Sequence, residues 1–352
     1  MRALLCAAFF AALSTSAVAQ PQAAPPAAAD PGAQYAQSHD LIDIGGGRKL
    51  NLFCMGSGDR TVLFDAGGSD WSVVWALVQP AVAGRARACA YDRAGLGYSD
   101  PSAAPRSPAA IVADLHALVR AANLRTPLIL VGHSLGGFNM KLYAALHPEE
   151  VAGLVLVDPA EERSDERIRA RMLQRFGASL TARSELEGKD FLRRLIAHYE
   201  TCAAAARTAE LDPASPAYNR CWDPVRPALG PAVAAARARL QVRAPFQNAQ
   251  ASELANSVYG RTDGDAIYQR LFRPGMFGMR PLIVLTHGTY DASDPDDGAS
   301  FQGGLWLHSE TAALSRRGRQ RTVPETGHYI ELDAPQAVTG AIFEVLDQVG
   351  GR

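Results

Sequence analysis

The stretch from Thr126 to Gly137 limits what this chain can fold into more than any other. Leu128 to Val131 is an unbroken apolar run, as in a parallel strand buried on both faces. Gly132-His133-Ser134-Leu135-Gly136 follows with G-x-S-x-G spacing. From Phe138 to Leu146 the apolar residues recur at helical intervals, until His147-Pro148 stops the pattern. Strand, tight turn and helix in succession is the context in which this spacing holds a serine at a sharp elbow. Ser134 Oγ then projects above the sheet edge. Gly132 and Gly136 are needed because a Cβ at either position would meet the neighbouring strand or helix. Ser134 is therefore read as a nucleophile, against the plainer reading of a glycine-rich turn with a capping serine.

A serine hydroxyl attacks poorly at neutral pH, so a base must take its proton and a third group must orient that base. In this topology the partners follow in the order serine, acid, histidine, each at the C-terminal end of a strand. His328 sits in the loop Pro324 to His328, after the last predicted strand and before the closing helix, and is the base. His287, just after a strand, and His308, inside a predicted helix, read as structural, as do His39, His116, His147 and His198. His133 packs beneath the elbow or lines the pocket. The acid is left open between two loops. Asp158 directly ends the strand Gly153 to Val157 and is favoured. Asp291 is the alternative and Asp294 ranks behind it, because Gly288-Thr289-Tyr290 carries Asp291 several residues past its strand. Otherwise the segment Asp294 to Asp297 is a solvated acidic loop, at most a weak cation binder. The oxyanion needs backbone N–H donors where charge develops. Leu135, at the start of a helix whose dipole helps, supplies one, and Gly68, in the turn Ala66-Gly67-Gly68 after the third strand, supplies the other. Trp71 stands near that turn, as an acyl-pocket wall or as plain helix packing.

The rest of the chain supplies the frame. His39 to Gly45 and Lys49 to Met55 predict an antiparallel pair. Thr61 to Asp65, Arg87 to Tyr91, Gly153 to Val157, Pro281 to Thr286 and Arg319 to Val323 predict further strands. Helical spacing lies between them at Trp71 to Val82, Ala109 to Ala122, Leu305 to Leu314 and Ala334 to Val349. This alternation predicts an α/β fold with a mostly parallel sheet and helices on both faces. From 160 to 280 the pattern changes to charged, Ala/Arg-rich helical stretches broken by prolines, read as a helical insertion between core segments 39–159 and 281–352.

Arg2, the apolar run Ala3 to Leu13 and the A-x-A site Ala17-Val18-Ala19 read as a signal peptide over 1–19, cleaved after Ala19, with an Ala/Pro-rich disordered leader over 20–38. The mature protein is expected to be exported, periplasmic or secreted, without a membrane span. Cys54, Cys89, Cys202 and Cys221 remain after cleavage. The favoured pairings are Cys54–Cys89, between neighbouring strands, and Cys202–Cys221, closing a local loop. Buried free thiols are the other reading, and no metal-ligand spacing appears. A net charge of −1 without a basic run argues against a nucleic-acid partner, and composition does not reveal the oligomeric state.

Four matching stretches together resemble the α/β-hydrolase fold superfamily from about residue 39 to 349, outside the insertion. They are Ala66-Gly67-Gly68, the run Tyr91 to Ser99, Gly132 to Gly137, and Gly327-His328. The resemblance implies about eight strands, a variable cap after the sixth and no cofactor. Two departures stand out. The oxyanion turn has Ala66-Gly67 in place of the usual His-Gly. The aspartate after the seventh strand is displaced, and Asp158 takes a placement that some members use. Ser134 at the elbow argues against the aspartate-nucleophile branches, epoxide hydrolases and haloalkane dehalogenases. The implied activity is carboxylic ester hydrolysis through an acyl-enzyme, on a small ester or acyl substrate. The alternatives are a peptidase or amidase of the proline-iminopeptidase type, an acyltransferase, and, in a different class, a non-catalytic ligand-binding member of the fold.

Overall fold

The computed structural model describes residues 30–209, 211–212, 221, 226–258, 268 and 270–350. Strands β1 (Asp40–Asp43), β2 (Lys49–Met55), β3 (Thr61–Asp65), β4 (Arg87–Tyr91), β5 (Leu128–His133), β6 (Val151–Val157), β7 (Pro281–His287) and β8 (Arg317–Val323) form one sheet. Its order is β1-β2-β4-β3-β5-β6-β7-β8. β2 runs antiparallel to both neighbours and every other pairing is parallel. The helices are α1 (Gln79–Ala83), α2 (Pro108–Ala121), α3 (Ser134–Leu146), α4 (Ser164–Thr208), α5 (Pro231–Leu240), α6 (Ala244–Asn256), α7 (Pro295–Ala312), α8 (Ile330–Asp333) and α9 (Pro335–Gly350). This is the mostly parallel, eight-stranded α/β sheet that the resemblance implies.

The two-residue side-chain period of a strand explains how both faces are covered. Every residue of β3 is buried. Val62 and Phe64 enter one apolar cluster with Trp75 and with Ile342 and Val345 of α9, while Leu63 enters another with Leu115 of α2 and Phe138 of α3. Each such side chain stabilises the fold by about 1.5–3 kcal/mol. α2 starts where a helix can: Ser107 Oγ accepts the Ala110 N–H at 3.3 Å, and Pro108 needs no partner for its missing N–H.

One helix is shorter than its spacing predicts. Trp71 to Val82 is split into a 3-10 turn, Ser72–Trp75, and α1. Pro80 favours a helix start just before itself, and Asp92 Oδ1 takes the Ser72 N–H at 3.1 Å. The N-terminal leader also differs from expectation. Residues 1–29, which hold the predicted signal peptide, lie outside the described residues. From Asp30 onward the chain is seated: Tyr35 is buried, donates its hydroxyl to Gln79 Oε1 at 2.9 Å and meets Phe53 edge-on. Low-complexity composition hid this one anchoring aromatic.

Between β6 and β7 the described residues form α4, a 3-10 turn Pro227–Leu229, α5 and α6. α4 is broken at Gly177, whose φ is 81°. Ile168 and Met172 of α4 pack on Ala299 and Leu307 of α7, which joins this helical layer to the core. Disulfides join Cys54 to Cys89, directly opposite each other on β2 and β4, and Cys202 to Cys221. Among the described residues no helix is long and apolar enough to cross a membrane.

Candidate active site

β5 ends at His133 and α3 begins at Ser134, whose φ of 49° is the left-handed conformation that a tight elbow imposes on a non-glycine residue. A Cβ on Gly132 would collide with the Gly136 carbonyl, and one on Gly136 with the Asp65 and Ala66 carbonyls. Asp158 immediately follows β6, also with positive φ, at 43°. Its Oδ2 accepts the Nδ1–H of His328 at 2.6 Å. His328 is half exposed and lines a cavity of about 150 Å³ together with Ser134, Gly68 and Leu135. Of the three candidate acids, the geometry brings Asp158 to His328. Asp291 is exposed, and its Oδ1 is occupied by the N–H and hydroxyl of Ser293 at 2.8 and 2.6 Å. Asp294 caps α7 by accepting the Asp296 N–H at 2.9 Å.

Burial pushes the Asp158 carboxyl up, but hydrogen bonds from His287 and His328 outweigh it and hold the group far below the usual carboxylate range. Asp158 therefore stays anionic beside His328 at any ordinary pH. His133 is buried, and its Nε2–H donates to the main-chain carbonyl of His328 at 2.9 Å, which ties the histidine loop to the elbow. Burial, and then the nearby His328, push His133 far below the ordinary imidazole range. Its Nδ1 lies 3.2 Å from the Glu331 carboxyl, which burial pushes well up. A neutral imidazole and a neutral carboxyl suit this dry position. Gly67 must stay bare because a Cβ there would press on His133 Nδ1.

Arg93 holds the turn Ala66-Gly67-Gly68, the candidate oxyanion site. Its Nη1 donates to the Ala66 carbonyl and its Nη2 to the Gly67 carbonyl, both at 2.6 Å. With those carbonyls bound to one guanidinium, the two peptide planes are held relative to Arg93. Arg93 Nη1 also bonds Asp65 Oδ1, at 2.7 Å, and Glu253 of α6 accepts from its Nε and Nη2. Burial alone would lower the Arg93 pKa. The Glu253 and Asp65 carboxylates more than offset it, so the guanidinium stays charged.

Trp71 stands elsewhere than the acyl-pocket position considered for it. It is fully buried, with its ring against Phe246 and under the Arg237 guanidinium, and it does not line the Ser134 cavity. The outer cavity wall comes instead from Leu195 and Tyr199 of α4 and from Leu254 and Ser257 at the end of α6. No motif marks these residues. By its place after a strand His287 reads as structural, yet its Nδ1 is 2.9 Å from both Asp158 oxygens. His308, also read as structural, contacts Thr286 Oγ1 through Nδ1 and the Pro159 carbonyl through Nε2.

The family model described as the alpha/beta hydrolase fold matches residues 60–335. The chain belongs to the alpha/beta hydrolase fold family. YqjL of Bacillus subtilis is 34% identical to this hydrolase-fold chain over 105 residues, 30% of this chain and 42% of YqjL. A (lyso)-N-acylphosphatidylethanolamine lipase of Mus musculus is 35% identical over 106 residues, 29% of this chain and 31% of the lipase. The chain thus spans less than half the length of these curated relatives. An esterase from Thermogutta terrifontis shares the fold with a TM-score of 0.54 and 19% identity, covering 89% of this chain and 99% of the esterase.

Proposed function

We propose that this family member is a serine hydrolase that cleaves carboxylic esters in two acyl-transfer steps. The observation that carries the reading is the 2.6 Å bond from His328 Nδ1 to Asp158 Oδ2, made where His328 and Ser134 line one cavity. Asp158 holds the imidazole with Nε2 free to act as base. Nε2 takes the Ser134 proton as Oγ attacks the ester carbonyl, and Asp158 stabilises the imidazolium that forms. The N–H groups of Gly68 and Leu135 receive the developing oxyanion, the second of them at the N-terminus of α3. His328 then protonates the leaving alcohol, and in the second step it activates the water that releases the acid. No cofactor enters these steps. The mouse lipase and the Thermogutta esterase, by name ester hydrolases, support the same class.

The cavity beside Ser134 is about 150 Å³, and Leu195, Tyr199 and Leu254 close it. That space suits a short acyl group. The two disulfides suit an oxidising compartment outside the cytosol, in line with the exported protein that the N-terminus suggests. Hydrolysis of p-nitrophenyl acetate, butyrate and octanoate by wild type and Ser134→Ala tests the proposal. Turnover that falls with acyl length and is lost in Ser134→Ala supports it. Equal rates in the two proteins would overturn it.

A further inference from the structure

Asp158 serves two imidazoles. His328 reaches only Oδ2, whereas His287 spans both oxygens: its backbone N–H reaches Oδ1 at 3.1 Å, and its Nδ1 stands 2.9 Å from each. β7 makes this possible. It pairs with β6 in parallel register, Val157 opposite Leu285, so its last residue, His287, lies one position beyond the level of Asp158 and within reach of its carboxylate. The Asp158 N–H donates to the Leu285 carbonyl at 2.8 Å, which binds the two strand ends together. With these donors in place the carboxylate cannot turn without losing the bonds on Oδ1.

We infer that His287 is a positioning residue for the proposed reaction, donating its Nδ1–H to Asp158 so that Oδ2 stays on His328, and that the charge it carries sets how strongly Asp158 supports the base. The inference rests on the reading of Asp158 and His328 as acid and base. His287 is distinguished from a satisfied structural histidine by where its ring leads. It is partly exposed and meets Phe301 edge-on. It lines a second cavity of about 320 Å³, between α4 and α7, to which Asp158, His308 and His328 also contribute. It can therefore exchange protons with solvent while its Nδ1–H remains on the carboxylate in either state.

The charged and titratable groups around it fall into three sets. Asp158 faces it from the end of β6. His308 and Asp297 face it from α7, His308 Nδ1 standing 4.0 Å from Asp158 Oδ1. Glu161, Asp165 and Glu185 line the same cavity from the α4 side. Its hydrogen bond to Asp158 raises the His287 pKa above the ordinary imidazole value, so the cationic form extends toward neutral pH. A cation on one side of Asp158 weakens the attraction for the imidazolium that must form on His328. Loss of that proton restores the attraction.

The test is the pH profile of kcat/KM for a p-nitrophenyl ester with wild type, His287→Ala and His287→Asn. The Asn amide nitrogen can take the place of Nδ1 as a neutral donor. In His287→Ala the plateau falls about tenfold, mainly in kcat, and in His287→Asn it returns to within about twofold of wild type. In both variants the acidic limb moves up by about one pH unit, because the cation next to Asp158 is gone. A merely structural histidine would change thermal stability and leave the limb in place. Coincident profiles for all three proteins would overturn the inference. So would a plateau loss that Asn does not restore with the limb unmoved. If His287→Ala does not fold, the limb of His287→Asn decides. Ser134→Ala separates the two levels. If it is as active as wild type, the underlying reading has failed. If it is inactive while the His287 variants match wild type, the failure belongs to His287 alone.

Discussion

Arg93 and Glu253 meet through two hydrogen bonds, Nε to Oε1 at 2.7 Å and Nη2 to Oε2 at 2.8 Å, although 160 residues separate them. Both side chains are buried, and Arg93 also grips the carbonyls of Ala66 and Gly67. The pair thus links α6, in the segment between β6 and β7, to the turn proposed to bind the oxyanion. Removing one partner of a buried pair leaves the other charge uncompensated. Glu253→Ala is expected to lose about 3 kcal/mol in urea unfolding and to lower kcat more than it raises KM. Unchanged stability and kcat would show that the pair holds nothing in place.

Asp158 and Asp291 make opposite predictions. Asp158→Asn removes the anion that supports the imidazolium and should lower kcat/KM about 10³-fold or more. Asp291→Asn changes a turn bonded to Ser293 and should stay within about twofold. Ester hydrolysis by the two purified variants decides between them, and the reverse order would move the acid to the loop after β7.

Stability against pH should report on Glu331. Burial raises its folded pKa, so its contribution is fully present below the unfolded value and is lost as pH rises through the folded one. Glu331→Gln removes that titration and keeps a donor for His133. Thermal melts should show the variant more stable than wild type at pH 7.5, with the difference shrinking toward pH 4. A variant less stable at pH 7.5 would contradict the assignment.

The disulfides close loops of 35 and 19 residues. In the chain-entropy view they stabilise by about 4 and about 3 kcal/mol respectively. Cys54→Ala/Cys89→Ala should therefore cost more in urea unfolding than Cys202→Ala/Cys221→Ala, with the reducing agent dithiothreitol losing its effect only when both pairs are removed.

How much of this was legible depends on the range over which each signal acts. The apolar run Leu128 to Val131, the glycines at 132 and 136 and the break at His147-Pro148 are local, and they place Ser134 at its elbow. Asp158 could be favoured because its strand ends on it, and Gly288-Thr289-Tyr290 separated Asp291 from its own strand. The Glu253 partner of Arg93 leaves no trace in sequence, because a charge in an Ala-rich helix reads the same whether it faces solvent or a buried guanidinium. His287 is hidden for a similar reason: only the pairing of β6 with β7, distant in sequence, brings it within reach of Asp158. Sequence proximity to Gly68 offers Trp71 to the pocket, but its side chain is buried under Arg237 and does not line the cavity.

The central claim is that Ser134 Oγ is made nucleophilic by His328, and covalent trapping tests it most directly. The protein would be mixed with a fluorophosphonate, and intact mass and peptide mapping would locate the adduct. The account predicts one adduct on the peptide carrying Ser134 in wild type, none in Ser134→Ala, and labelling slowed by orders of magnitude in His328→Ala. An unlabelled wild type, or equal labelling of wild type and Ser134→Ala, would contradict it.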